Sequence, residues 1–375
     1  MKFTILGFIK KYGAADDVTK QDMKKNIGVL SIQGLPARYG AFEQTVDQIV
    51  RHAATERPEL HFVVGCNADA SAEPYDIPNV TRMFFKRSGG IGVIVYGLKA
   101  FFAMYASGVR TYLVLGYGLA PVFWLFELLG CHLVCNVDGF EWRRAKWGKW
   151  ARRYFKLCET FSVRARADLI YDSIGVARYY AINHRRPGHT LFYGTEPTAT
   201  AAVPGLDSLT GGGEYFVVVM RMEPENHIRE IVRAYQASRA LRRLVLIGPT
   251  TPFFECEVKP LIDADSSERV TWLGPIYDRR KLQALRAGAY AYLHGHSVGG
   301  TNPTLVEACW LARPVIAYGS IFNREVLGVS GTYFRNERDL TAIFEDEARV
   351  FPLPPRLDER YTWAYVCDAY IRLVA

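Results

Sequence analysis

The residues best suited to chemistry lie in one run, Gly-His-Ser-Val-Gly-Gly-Thr-Asn-Pro-Thr-Leu-Val-Glu, residues 295–307. A strand predicted at Ala289–Leu293 delivers the chain into Gly299 and Gly300, where missing side chains let a ligand approach the backbone. Asn302 then stands at a helix N-cap and Pro303 at the favoured first helical position. The amides of Thr304 and Leu305 would point out of the helix start, beside Thr301. Such a start carries about half a positive charge and free N–H groups, which suits a diphosphate. Glu307 falls about one turn further in, where its carboxylate could accept both hydroxyls of a ribose. A well-capped structural helix is the alternative, and it leaves the two glycines without a use.

Three further segments follow predicted strands. Arg221, in Arg-Met-Glu-Pro-Glu-Asn-His, comes directly after Tyr215–Met220, where parallel sheets bind ligands and a planar guanidinium suits phosphate. Gly34-Leu-Pro-Ala-Arg38-Tyr39-Gly40-Ala-Phe-Glu43 follows the first strand and forms a permissive glycine loop opening onto a helix. Its spacing is not that of a dinucleotide fingerprint, and no acidic residue ends the second strand, so a dehydrogenase reading is weak. Asp138 and Glu141 follow Leu133–Val137 and could hold a sugar hydroxyl or act as a base. The basic, Trp-rich stretch behind them, up to Arg153, would suit an anionic lipid surface or a plain solvated helix equally well. His294 and His296 alternate on a strand end, but a third ligand of suitable type is missing, so no metal is expected.

These segments need elements to position them. At 375 residues, with 49% hydrophobic content, the chain suits two domains of average size. Predicted strands at Ile27–Ile32, His61–Cys66, Val80–Phe85, Tyr112–Leu115, Leu133–Val137, Leu169–Asp172 and Leu191–Tyr193 alternate with helical segments near 42–55, 91–106, 120–130, 142–166 and 174–183. The turn-rich segment 198–213 reads as a linker. The alternation then restarts at Tyr215–Met220, with helices at 228–240, 278–287 and from Pro303, and strands at Leu244–Ile247, Val270–Leu273, Ala289–Leu293 and Pro314–Ala317. The pattern implies an α/β architecture of two doubly wound parallel-sheet domains facing a central crevice. Its divisions are an appendage at 1–26, a first domain at 27–197, the linker, a second domain at 214–357 and a C-terminal helix at 358–375 expected to pack back on the first domain.

Charge is uneven: residues 1–210 hold 26 Lys and Arg against 18 Asp and Glu, whereas 211–375 hold 20 of each. The excess suggests an anionic partner for the first half, such as a phospholipid surface, a lipid diphosphate or nucleic acid, unless it is simply a basic surface. The seven cysteines form no zinc or redox spacing and read as reduced thiols. The opening residues have too short an apolar run for a secretory signal, and the apolar stretch 111–135 is interrupted by Gly116, Gly118, Pro121 and Glu127. A cytoplasmic location is expected, with the inner membrane face as a peripheral site.

Taken in order, Gly34–Glu43, Asp138-Gly-Phe-Glu-Trp-Arg-Arg, Arg221-Met-Glu-Pro-Glu-Asn, His294–Ala308 and Phe322-Asn-Arg-Glu-Val-Leu327 span Gly28 to about Phe334. The chain resembles glycosyltransferase family four, and within it the rhamnosyltransferase-like bacterial polysaccharide enzymes. The resemblance implies a GT-B fold and a retaining, metal-independent hexosyltransferase with no cofactor. Its donor would be a nucleoside-diphosphate sugar, most readily dTDP-rhamnose. Its acceptor would be a glycan or a polyprenyl-diphosphate-linked saccharide, with no role for nucleic acid. Glu307 would then bind the ribose, Arg221 the diphosphate, and Thr301 and Asn302 the phosphates or sugar, with Gly299, Gly300, Pro303, Thr304, His296 and Arg324 around the donor. Gly34, Arg38, Tyr39, Gly40 and Glu43 would border the acceptor, and Asp138 would lie near the reacting sugar. Two departures stand out. The wider family has a glutamate where this chain has Gly299, and a lysine where it has Asn226. A sugar-nucleotide epimerase and a non-catalytic sugar-nucleotide-binding subunit share the same architecture.

Overall fold

The structure, a computed structural model, describes residues 25–37, 40–69, 73–87, 92–144, 147–196, 203–311, 313–346 and 349–375. Two all-parallel sheets organise it. The first holds β1 (Lys25–Leu30), β2 (Leu60–Asn67), β3 (Val80–Phe85), β4 (Thr111–Leu115), β5 (His132–Asn136), β6 (Asp168–Tyr171) and β7 (His189–Thr190), in the order β3-β2-β1-β4-β5-β6-β7. The second holds β8 (Tyr215–Val219), β9 (Arg243–Ile247), β10 (Val270–Trp272), β11 (Ala291–His294), β12 (Val315–Tyr318) and β13 (Thr332–Phe334), in the order β10-β9-β8-β11-β12-β13. Both run outward in opposite directions from a central pair, which is the doubly wound arrangement anticipated from the alternation.

Central strands of such sheets are covered on both faces and must be apolar throughout. Tyr215–Val219 and Thr111–Leu115 are buried at every position. One face of the first sheet packs against helix Ala41–Glu56 and the C-terminal helix Trp363–Val374, whose Trp363, Val366, Tyr370 and Ile371 join Ile27, Val46, Val64 and Ile170 in one core. The other face is covered by helices Gly92–Ala106, Phe123–Leu128, Lys149–Arg164 and Ile174–His184. The last helix of the chain therefore closes the first domain. A bridge between Thr195 and Thr362 brings its start alongside the exit from that domain.

Several boundaries differ from the sequence expectations. The last strand of the first sheet is His189–Thr190, and Leu191–Tyr193 run on as irregular chain. Their apolar character serves burial at the domain junction, where Phe192 stacks on Tyr361 at 4.6 Å and Tyr193 meets Trp363. The helix expected over 142–166 is a single turn at Glu141–Arg143 followed by Lys149–Arg164. Arg144 and Trp147 are tied back to Glu141, which interrupts it. The segment 120–130 splits at Pro121 into a tight turn, Tyr117–Val122, and helix Phe123–Leu128. Helices at Lys259–Asp263, Ile321–Leu327 and Glu337–Glu345 and strand β13 lie where none was anticipated. Within the expected linker the structure describes 203–213, which includes helix Leu206–Thr210. Six of the seven cysteines are buried and all are free thiols, Cys256 being exposed. Among the described residues no helix is long and apolar enough to cross a membrane.

Candidate functional site

In doubly wound sheets, ligand crevices open at the carboxyl ends of the strands, where the strand order reverses. Here the reversals fall at β1/β4 and β8/β11. The loop after β8 carries Arg221, and the loop after β11 carries residues 295–302. These two loops are laced together. Ser297 donates its amide and its hydroxyl to the Glu225 carbonyl (3.1 and 2.8 Å), and His227 Nδ1 lies 2.7 Å from the Gly295 carbonyl. A Cβ at Gly295 would fall 1.9 Å from the Asn226 carbonyl oxygen, so glycine is required there for the loops to touch. Asn226 is buried and donates to the Arg221 carbonyl, so it braces the loop. Arg221 itself is exposed at the loop's edge.

The helix Pro303–Trp310 begins as the sequence suggests, with one consequence. Asn302 Oδ1 accepts from Thr304 N at 3.0 Å, and the Leu305 amide donates to the Asn302 carbonyl at 3.1 Å. Those two amides are therefore committed. Any anion at this end must use the preceding backbone, where Gly299 (φ 103) and Gly300 (φ 68) turn the chain in conformations that favour glycine. Thr304 Oγ1 bonds both Asn302 Oδ1 and the Tyr292 hydroxyl, and is likewise occupied. Thr301 Oγ1 is buried with no partner among the described residues. Glu307 Oε2 accepts from Arg286 Nη1 at 2.7 Å, and Arg286 is only 2% exposed although its helix looks like a surface one in sequence. One carboxylate oxygen of Glu307 is thus held by Arg286.

The first domain presents its own loops to this wall. Asp138, after β5, has φ 60, a left-handed conformation held by Asn136 Oδ1 accepting from its amide at 2.8 Å. Arg144 Nη2 lies 3.5 Å from Asp138 Oδ2, and its Nε pairs with Glu141 Oε1, while Glu141 Oε2 accepts from Trp147 Nε1 at 2.9 Å. Both oxygens of Glu141 are engaged, so this residue holds Arg144 in place and is badly placed to act as a base. Burial raises the Asp138 carboxyl to about 6, with Arg144 opposing the shift. Across the crevice, the charge of Arg144 also bears on Glu225 and His296, and His296 feels Arg221 of its own domain as well. Burial keeps His294 and His296 neutral, His294 falling to about 3. The two rings stack at 4.5 Å, and His296 Nδ1 is buried without a partner among the described residues. Among the described residues no group of three His, Cys, Asp or Glu is placed to hold a metal.

The two walls meet at glycines. A Cβ on Gly139 would lie 2.5 Å from Gly299 Cα and 2.8 Å from Gly300 N. A Cβ on Gly299 would lie 3.3 Å from Arg144 Nη2, and one on Gly300 would strike the Asp172 carboxylate. Asp138, Arg144, Asp172, Gly299, Gly300 and His296 thus form one neighbourhood, joined by Arg221 and Glu225 of the second domain. Beside it, Glu325 of helix Ile321–Leu327 accepts from the amides of Ile174 (2.6 Å) and Gly175 (3.0 Å), binding the second domain to a helix start of the first.

Of the other expected residues, Arg324 is exposed, stacks on Tyr333 at 4.1 Å and lies 3.4 Å from the Gly319 carbonyl. Gly34 and Gly40 take positive φ, and buried Glu43 accepts from Gln33 N at 2.7 Å, so Glu43 braces the loop it follows. Arg38 and Tyr39 lie outside the described residues. Sequence reasoning missed Asp172, Arg144 and Arg286. Asp172 was read as the end of a strand, Arg144 fell in the basic stretch read as lipid-facing or solvated, and Arg286 fell in the helix expected at 278–287 with no role given to it.

The comparisons agree on the architecture. A family model described as a domain of unknown function (DUF1972) matches residues 24–196. No curated protein matches the chain. Among solved structures, a sucrose-phosphate synthase from Thermosynechococcus elongatus is similar at TM-score 0.74 and 16% identity, over 93% of this chain and 98% of that one. Anabaena HepE in complex with UDP is similar at TM-score 0.64 and 16% identity, over 93% and 95%. A trehalose-6-phosphate synthase from Burkholderia multivorans is similar at TM-score 0.66 and 13% identity, over 94% and 98%. At such identities the likeness establishes the two-domain GT-B fold over nearly the whole chain.

Proposed function

We propose that this chain is a retaining, metal-independent glycosyltransferase that moves a hexosyl group from a nucleoside-diphosphate sugar to a glycan or a polyprenyl-diphosphate-linked saccharide. The observation that carries this reading is the meeting of two loop sets at Gly139 and Gly299–Gly300, with charged and orphaned polar groups gathered around it. The GT-B neighbours support it, one of them having been solved with UDP. The resemblance in sequence favours dTDP-rhamnose as donor and cell-surface polysaccharide as product.

In this reading the ribose hydrogen-bonds to Glu307, oriented by Arg286, and the diphosphate lies between Arg221 and the backbone of 299–301. As the bond between the sugar's anomeric carbon and the phosphate oxygen breaks, negative charge grows on that oxygen, and fixed positive groups there stabilise it without a metal. The acceptor hydroxyl bonds to the anomeric carbon from the same face, and its proton passes to the leaving phosphate oxygen. Neutral His296 and the Asp138–Arg144 pair line the space where the sugar reacts.

The basic first half supports docking at the inner membrane face, near lipid-linked acceptors. Helix Lys149–Arg164 exposes Arg152, Arg153 and Trp150, the last 79% exposed. A test is turnover of dTDP-rhamnose, UDP-glucose and GDP-mannose by the parent chain, Glu307→Ala and Arg221→Ala. Losses of roughly 100-fold in kcat/KM are expected for each variant, as for removal of one preorganised electrostatic contact. Unimpaired transfer by both variants sinks the assignment.

A further inference from the structure

Asp172 has no part in the mechanism above, yet it is built into the crevice. It follows β6 at the carboxyl edge of the first sheet, directly before Ser173, whose Oγ accepts from Val176 N and caps helix Ile174–His184. Its side chain reaches the opposite domain. A Cβ on Gly300 would lie 2.0 and 2.2 Å from its two carboxylate oxygens, so the absence of a side chain at 300 is what admits it.

The group is poorly served where it stands. Oδ1 is buried and accepts from no donor among the described residues. The charges acting on it are the acids Asp138 and Glu325 and the single cation Arg144, which is already engaged with Asp138 and Glu141. Burial and its acidic neighbours hold its carboxyl well above the usual range. A buried polar atom without a partner destabilises a fold, and such atoms gather where a ligand completes them. The facing wall has matching vacancies: His296 Nδ1 and Thr301 Oγ1 are also buried without partners among the described residues. Gly300, against which the Asp172 carboxylate lies, belongs to the loop that starts at His296 and directly precedes Thr301, and the charge of Arg144 acts on both Asp172 and His296. Position 299, bare of a side chain, offers no acid from the second domain.

We propose that Asp172 is a specificity-determining residue that hydrogen-bonds hydroxyls of the donor's hexosyl group, supplying from the first domain the acidic contact that the second domain lacks at Gly299. A polyhydroxylated ring fits these vacancies because each hydroxyl both donates and accepts, meeting a carboxyl, a ring nitrogen and a threonine hydroxyl together. This inference rests on the donor reading given above, and deepens it.

The experiment is calorimetric titration of the full chain and of Asp172→Ala and Asp172→Asn. The probes are UDP, dTDP and GDP, and then UDP-glucose, dTDP-rhamnose and GDP-mannose. The nucleotide half is held by the second domain, so both variants should bind the free diphosphate within about threefold of the parent. The ratio of sugar-nucleotide to diphosphate affinity should fall about tenfold or more in Asp172→Ala, the scale of losing one good polar contact. Asp172→Asn, which keeps one oxygen acceptor, should fall between. Thermal midpoints of both variants should equal or exceed the parent's, because an unsatisfied buried acid is removed. Diphosphate binding with an unchanged sugar ratio in Asp172→Ala overturns this inference alone. Lowered midpoints with diphosphate and sugar binding weakened alike overturn it too, in favour of a structural role. If the parent binds none of the six probes, the donor reading itself fails and takes the inference with it.

Discussion

Gly139→Ala is a one-methyl perturbation aimed at the place where the two domains touch. The added Cβ would lie 2.5 Å from Gly299 Cα, 2.7 Å from Gly299 C and 2.8 Å from Gly300 N. Carbon atoms in contact normally sit about 3.5–4.0 Å apart, so the loops must part by about 1 Å. All three neighbours are backbone, and the 299–300 loop is pinned to the chain on both sides by the Ser297–Glu225 bonds and the Asn302 cap. No flexible side chain can give way. Overpacking of this kind costs about 1–3 kcal/mol. The cost falls on the state in which the two loops touch, lowering its population roughly 5- to 150-fold. Donor turnover should drop by that factor, while affinity for the free nucleoside diphosphate stays near the parent's. Small-angle scattering should report a larger radius of gyration for the variant. Parent-like turnover and scattering from Gly139→Ala would refute the reading that the site forms where these two loops meet.

Other consequences can be checked on the same protein. The Asp138 carboxyl is raised by burial from 3.8 to about 6, so the native state binds the extra proton between those values. Stability from this group is complete below pH about 4 and lost as pH rises through about 6. Asp138→Asn should therefore match the parent near pH 4 and exceed it above pH 6 by about 1–3 kcal/mol, one pKa unit being worth about 1.4. A denaturation series over pH that shows no such divergence counts against the buried environment of Asp138. Asn tolerates the left-handed backbone at 138, so the substitution adds no strain of its own. Trp363→Ala should destabilise the first domain by about 3–5 kcal/mol in urea unfolding, because the ring is buried against Tyr193 and Gly194. Replacing Lys149, Arg152 and Arg153 by Glu should weaken binding to phosphatidylglycerol vesicles by roughly 100-fold, at about 1 kcal/mol per basic residue. Unchanged vesicle binding would remove the membrane from the account.

The architecture was readable because parallel strands buried on both faces are short apolar runs, and those runs recur at helix-length spacing. Tyr215–Val219 and the helix from Pro303 begin where their residue types place them, one by its apolar run and one by its Asn-Pro start. Short elements late in the second domain, such as Ile321–Leu327 and Thr332–Phe334, are too brief to show a period. In the candidate site, the segments of the second domain could be read because glycines, a cap and a proline leave local marks. Asp172 could not, since what singles it out is the closeness of Gly300, a residue 128 positions away in the chain. Arg286 was hidden for a similar reason. On an amphipathic helix an arginine looks solvated, and only the fold puts Glu307 against it. Asn226 and Gly299 bring neither a cation nor an acid to the crevice from the second domain. The charged groups nearest to that space come from across the crevice, in Arg144 and Asp172.

The central claim is that a nucleoside diphosphate lies between Arg221, the glycines at 299–300 and Glu307. Thermal unfolding of the parent chain, Arg221→Ala and Glu307→Ala with dTDP, UDP or GDP tests it most directly. A ligand at 100 times its Kd stabilises the folded state by about 2.7 kcal/mol. One nucleotide should therefore raise the parent's midpoint by roughly 5–10 °C, at about 2–4 °C per kcal/mol for a domain of this size, and lose that effect at the same concentration in both variants. An equal rise in the parent and in both variants, or no rise with any of the three nucleotides, would contradict it.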